Sequence, residues 1–220
     1  MKSQQLYAVI TGDVVGSSKL PPEKRNQLQP VMIKSFQAVT RVLPDAVQAP
    51  FETYRGDGFQ GVLSKPETAM RAVIVLRASL RHLFEVSHKS HALDARIAVG
   101  IGHVDYLPEN RSADGDGKAF RISGPLLDGM KGNQRLLFRT PWQEVNDELD
   151  VLCALLDVII DHWTAAQAHA IVGWIRGLTQ EKIAMELGIS QPAARYRLKS
   201  AGNWAVDLLC RRYENLFEKL

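Results

Sequence analysis

The sequence predicts an α+β fold, in which a ferredoxin-like βαββαβ sheet domain is followed by an all-α domain. Three observations support this. Strand and helix patterns alternate as far as Pro141. Gly56-Asp57-Gly58 joins two short strand patterns as a hairpin. Beyond Pro141 strand signals cease while helical periodicity continues to Leu220. The change of pattern places the boundary at 142, giving units 1–142 and 143–220.

Leu6 to Thr11 is apolar, partly β-branched and closed by Gly12, so it reads as a buried strand with Asp13 at its end. Pro21-Pro22-Glu23 opens a helix to about Leu43, with Val31, Phe36, Val39 and Leu43 along one side and Pro30 expected to kink or split it. FETYR and FQGVL are the hairpin strands. Ser64-Lys-Pro-Glu67 has the form of a capping box for an amphipathic helix to about His88. ARIAVGIGHVDYL is a glycine-rich strand, and Asp114 and Asp116 lie in a turn-forming loop. A short helix over Phe120 to Met130 and the strand RLLFRT complete the unit. This order predicts a split βαβ sheet with its helices on one face. VLCALLDVIIDHW then reads as a buried connecting helix.

A chain of 220 residues with 45% hydrophobic and 23% charged residues has the composition of a globular protein, which excludes fibrous and disordered classes. Cys153 and Cys210 fall in apolar helical patterns, so core thiols in a reduced, cytoplasmic setting are expected rather than a disulfide framework. No apolar run approaches the roughly 18 residues that span a bilayer, and MKSQQLY has no signal-type apolar core, so no membrane partner is expected. A net charge of +3 is too weak to establish a nucleic-acid partner by itself.

In a split βαβ sheet the first strand is central and the β-hairpin turns beside its end, so Asp13 and Asp57 are expected to meet. Paired carboxylates repel unless a cation or hydrogen bonds compensate, and Mg²⁺ or Mn²⁺ uses one or two carboxylates with water and phosphate oxygens. Val14, Val15, Gly16, Ser17 and Ser18 would supply N–H groups and hydroxyls to cradle the phosphates of a nucleoside triphosphate or other nucleotide. Each residue also has a plain reading: Asp-Gly is a common hairpin turn, and Asp13 could cap a turn. The occurrence of both at matching points of one frame favours the site. His82, His88 and His91 do not share a helical face and are not read as ligands.

LTQEKIAMELGISQPAARYRLKSAG has the spacing of a helix-turn-helix over about 178–200. Thr179 and Ser190 are helix caps, Ala184 is small enough for a close crossing, and Gly188 makes the turn. The outward side of the second helix would carry Gln191, Arg195, Tyr196, Arg197 and Lys199 toward double-stranded DNA. The competing reading is a helical hairpin packed on the first unit.

ITGDVVGSS and YRGDGFQGVL resemble the two metal-binding motifs of class III nucleotidyl cyclases, and ARIAVGIG is similar to the strand that follows them, over about residues 5 to 140. The helix-turn-helix resembles region four of sigma factors, and nearly the whole chain resembles the SatD family. The cyclase resemblance implies two metal ions on Asp13 and Asp57 and a site assembled between two chains. In GKAFRISGPLL, Arg121 and Pro125 stand where cyclases place a transition-state asparagine and arginine, so Arg121 is the candidate catalytic cation and the usual pair is lost. Thr53 stands where purine cyclases often place a base-reading lysine. The sequence therefore leaves open a homodimeric, nucleotide-responsive DNA-binding regulator, an active cyclase or nucleotidyltransferase whose C-terminal helices serve dimerisation or targeting, and an interaction protein with relic sites. The first agrees best with intact aspartates and a lost pair.

Overall fold

The computed structural model describes residues 5–54, 56–84, 93–109 and 111–217. Its strands are β1 (Tyr7–Val14), β2 (Val47–Tyr54), β3 (Gly58–Leu63), β4 (Ala95–Gly102) and β5 (Leu136–Arg139). They form one mixed sheet in the order β2-β3-β1-β4-β5. β1 lies antiparallel between β3 and β4, β2 is antiparallel to β3, and β5 runs parallel to β4. β1 is central, as expected, but it runs on through Asp13, which lies inside the ladder opposite Gly58 and Arg96.

The helices are α1 (Pro22–Val42), α2 (Ala69–Leu83), α3 (Lys118–Asp128), α4 (Gln143–Asp161), α5 (Ala165–Ile175), α6 (Gln180–Leu187), α7 (Gln191–Ser200) and α8 (Asn203–Phe217). Pro30 sits within α1 without splitting it. The expected capping box does not form. A 3₁₀ turn over Pro66–Thr68 precedes α2, and the Ser64 hydroxyl donates instead to the Ala46 carbonyl.

Strand alternation sends side chains to both faces of the sheet, and helices cover both, not one. Ala8 and Ile10 join the core under α1 and α2, whereas Val9 packs with Ala119 of α3. The glycines of β4 explain the second layer. A Cβ on Gly100 would lie 2.3 Å from the Ala119 carbonyl oxygen, so only glycine lets the α3 backbone settle directly on the strand. On the other face the core is continuous from β1 through α1 and α2 into α4–α8, so residues 143–220 pack on the sheet unit through shared apolar contacts. Among the described residues no helix is long and apolar enough to cross a membrane. Cys153 and Cys210 are buried free thiols.

α2 lies at the centre of this layer, and every residue from Ala72 to Arg81 is buried. Burying Arg77 there requires compensation. Its guanidinium grips Asp94 through Nε–Oδ1 at 2.9 Å and Nη2–Oδ2 at 2.8 Å, and also donates to Asp157 of α4. Arg81, one turn on, donates to Asp94 at 2.9 Å and to Asp161 at 3.1 Å. Asp157 in turn accepts the backbone N–H groups of Arg135 and Leu136 at the start of β5. Burial alone would raise the Asp94 pKa, but Arg77 and Arg81 hold it below the usual carboxylate range. At Asp157 burial outweighs Arg77 and the two amides, and its pKa is raised. The cluster ties α2, α4 and the β4–β5 edge together. The Asp94 carbonyl also reaches the end of β1, accepting the Val15 N–H at 2.8 Å.

Candidate functional site

Asp13 pairs in register with Gly58, the residue after Asp57, so the sheet order sets the two aspartates at the same end of neighbouring strands. The cation that compensates Asp13 within the chain is Arg96, its partner across β4, which binds the carboxylate through both Nε, at 2.9 Å, and Nη2. The Asp13 hydrogen bond raises the Arg96 pKa against a smaller opposing effect of burial, with Asp128 and Asp57 adding to the negative field around it. The sequence alone does not single out Arg96, because the signal that finds it is the antiparallel β1–β4 register, a non-local property. Asp57 accepts a hydrogen bond from the Ser17 hydroxyl, which folds the Val14–Ser18 turn back onto the hairpin.

That turn has fewer open donors than expected. Val14 is a ladder residue with a buried side chain, and the Val15 N–H is engaged by Asp94. Gly16 takes φ +72°, a left-handed value that lets the chain leave β1 sharply and enter a 3₁₀ turn at Ser17. Of the groups expected to cradle phosphates, those of Gly16, Ser17 and Ser18 are left, with the Ser17 hydroxyl already donating to Asp57. The donor set, two carboxylates with hydroxyls and backbone groups, is of the hard-oxygen type that suits Mg²⁺. Among the described residues no group of three or more His, Cys, Asp or Glu side chains is placed to hold a metal. A divalent ion here would take one or two carboxylates, complete its shell with ligand oxygens, and compete with Arg96 for Asp13.

Arg121 is not brought to this pair. It lies on α3 toward the far end of β4, exposed and held by Asp105 at 2.8 Å and Asp116 at 2.6 Å. The loop aspartate Asp116 is therefore an ion-pair partner as well as a turn residue, and Asp114 pairs with Arg111 at 3.2 Å. His82 is stacked against His169 of α5, while His88 and His91 lie outside the described residues.

In the C-terminal helices, local chemistry makes a tight turn between α6 and α7. Thr179 accepts the Lys182 N–H and Ser190 the Ala193 N–H, one capping α6 and the other α7. Gly188 adopts φ +61°, and the Ile189 N–H closes back on the Ala184 carbonyl at 3.0 Å. Ala184 and Ala194 are buried where the helices approach. Arg195, Tyr196 and Lys199 face solvent. Gln191 donates to Gln180 at 2.7 Å, and Arg197 is half-buried on the side whose charge is felt by His169, so it does not share the outward face with Arg195.

No protein-family model matches the chain, and no curated protein matches it. Among solved structures, the active GGEEF domain of a diguanylate cyclase from Vibrio cholerae is similar over 63% of this chain and 85% of that one, at 17% identity and a TM-score of 0.45. A guanylyl cyclase is similar over 61% of this chain and 75% of its own, at 19% identity and a TM-score of 0.42.

Proposed function

We propose that the chain is a nucleotide-responsive, DNA-binding regulator, with Asp13 and Asp57 holding Mg²⁺ and a nucleotide at one end of the sheet and α7 reading duplex DNA. The observation that carries the proposal is the α6–α7 geometry: two capped helices around a left-handed glycine, with Arg195, Tyr196 and Lys199 exposed on the second. Two copies would read two half-sites. Such pairing would also cover the exposed apolar residues Val151, Leu155 and Val158 of α4 and Trp204 and Leu208 of α8. Arg121, already engaged by two carboxylates away from Asp13, supports binding over turnover.

The test uses a duplex selected from a random pool. Arg195→Ala is expected to lose about 1–3 kcal/mol of preference for the selected site, while Lys199→Ala weakens binding to all sequences and flattens the salt dependence. Absence of salt-sensitive duplex binding under every nucleotide condition would make the helix pair purely structural. For the other half of the proposal, nucleoside triphosphate with Mg²⁺ is expected to raise the melting temperature, reflecting about 2.7 kcal/mol at a hundredfold excess over Kd. Asp57→Ala should abolish that rise without unfolding the chain. Undiminished stabilisation in both Asp13→Ala and Asp57→Ala would sink the metal-site assignment.

A further inference from the structure

On the sheet face opposite α3, a cleft of about 310 Å³ opens between α1, α2, α5 and α6. Lys34 and Arg41 of α1 line one side, and Arg176, which follows α5, lines another. The carboxylate among the lining residues, Glu186, is already engaged by Arg176 at 2.8 Å. Between them lie His82 of α2 and His169 of α5, their rings stacked face to face with centroids 4.1 Å apart and planes 6° from parallel. Ser79, one turn before His82, is wholly buried, and its hydroxyl has no hydrogen-bond partner among the described residues.

A buried hydroxyl without a partner is rare and costly in a folded protein, and here it belongs to a side chain that lines a cavity rimmed by three cations. An oxygen-rich anion answers each feature at once. It would accept from the imidazoles and from the lysine and arginine groups, as a multiply charged phosphate does, and from the buried Ser79 hydroxyl on a small opening of the cleft wall. We infer that this cleft binds a small phosphate-bearing anion that bridges α1 and α2 to the C-terminal end of α5, where Arg176 also holds Glu186 of α6. Its consequence is positional: α6 is the first helix of the turn that presents α7, so an anion shared between α1 and α5 would hold that pair against the sheet layer. Burial keeps both imidazoles neutral when the cleft is empty, with His82 pushed down to about 4, and an anion would draw protons onto them.

Calorimetric titration of the full chain with pyrophosphate, and separately with inorganic phosphate, tests this in metal-free buffer containing a chelator, so that Mg²⁺ at Asp13 and Asp57 plays no part. One pyrophosphate per chain is expected, bound more tightly at pH 6 than at pH 7.5. Binding should weaken at least tenfold in Lys34→Glu/Arg41→Glu, whose altered side chains are exposed, and stay unchanged in Asp57→Ala. No saturable binding of either anion, undiminished binding in the double variant, or equal loss in Asp57→Ala would each overturn the inference. Because the Asp57 response is read with Mg²⁺ present and this one without, the two sites stand or fall separately.

Discussion

Arg77→Ala is expected to lower the unfolding free energy by about 3–5 kcal/mol in urea titration, a large part of the roughly 5–15 kcal/mol that holds a domain together. The cost comes less from lost attraction than from what remains. Without the guanidinium, Asp94 loses both of its Arg77 hydrogen bonds and Asp157 loses its cation, and both carboxylates stay in a helix-covered interior. Arg81 would keep part of Asp94 satisfied, and the Arg135 and Leu136 N–H groups part of Asp157. Two comparisons separate this from mere loss of packing. Asp161→Ala, at the half-exposed edge of the cluster, should cost no more than about 1 kcal/mol. Arg77→Met combined with Asp94→Asn and Asp157→Asn should recover much of the loss, since Arg81 keeps Asp161 as its partner and removing the three charges centred on Arg77 together is cheaper than removing one of them. A triple variant as unstable as Arg77→Ala would place the cost in side-chain packing instead.

This cluster also marks the limit of what the sequence made legible. Elements with local causes were readable: the apolar run of β1, the Gly56-Asp57-Gly58 hairpin, and the Thr179, Gly188 and Ser190 punctuation of α6 and α7 all act within a few residues of themselves. What escaped depends on partners distant in sequence. Arg96 lies 83 residues from Asp13, and only the β1–β4 register makes them neighbours. Arg77 lies 80 residues from Asp157. A signal for burial was nevertheless present, because AMRAVIVLRASLRHL is apolar around most of its circumference, which for a helix of that length means enclosure on several sides and makes its arginines anomalous. The second helical layer had a signal as well. Gly100 and Gly102 fall on one face of β4, and a pair of glycines at that spacing clears a path for a helix backbone. The capping box failed because Ser64 found a partner across the sheet edge in Ala46, a tertiary contact overriding a local preference.

Acid sensitivity provides the second large effect. Stability is expected to fall as pH drops from 6.5 toward 4, before most carboxylates titrate. His82 is pushed down to about 4 from its ordinary 6.5 by burial first and the neighbouring His169 second, and His169 is itself lowered, chiefly by burial. A histidine whose folded pKa lies below its unfolded value binds its proton more readily unfolded. Its contribution is therefore fully present above 6.5, declines through the interval, and is lost below 4, on the order of 2 kcal/mol for His82. The charges around the stack oppose one another: at His169 the Glu186 carboxylate of α6 raises the pKa, whereas Arg197 of α7 and Arg176 lower it, and Lys34 and Arg41 of α1 line the same cleft. The carboxylates act elsewhere on the pH axis. Asp94, lowered, contributes stability above the ordinary carboxylate range that is lost only at lower pH, while Asp157, raised, works in the opposite sense. Urea unfolding from pH 7.5 to 4 in phosphate-free buffer should show the decline in the native chain and a flatter curve in His82→Gln, which removes the titrating ring but keeps a polar group at a half-buried position. Added pyrophosphate should restore stability near pH 6, because an anion beside the imidazoles reverses the penalty for protonating them. An equally steep decline in His82→Gln would move the acid sensitivity away from the His82–His169 stack and onto the carboxylates.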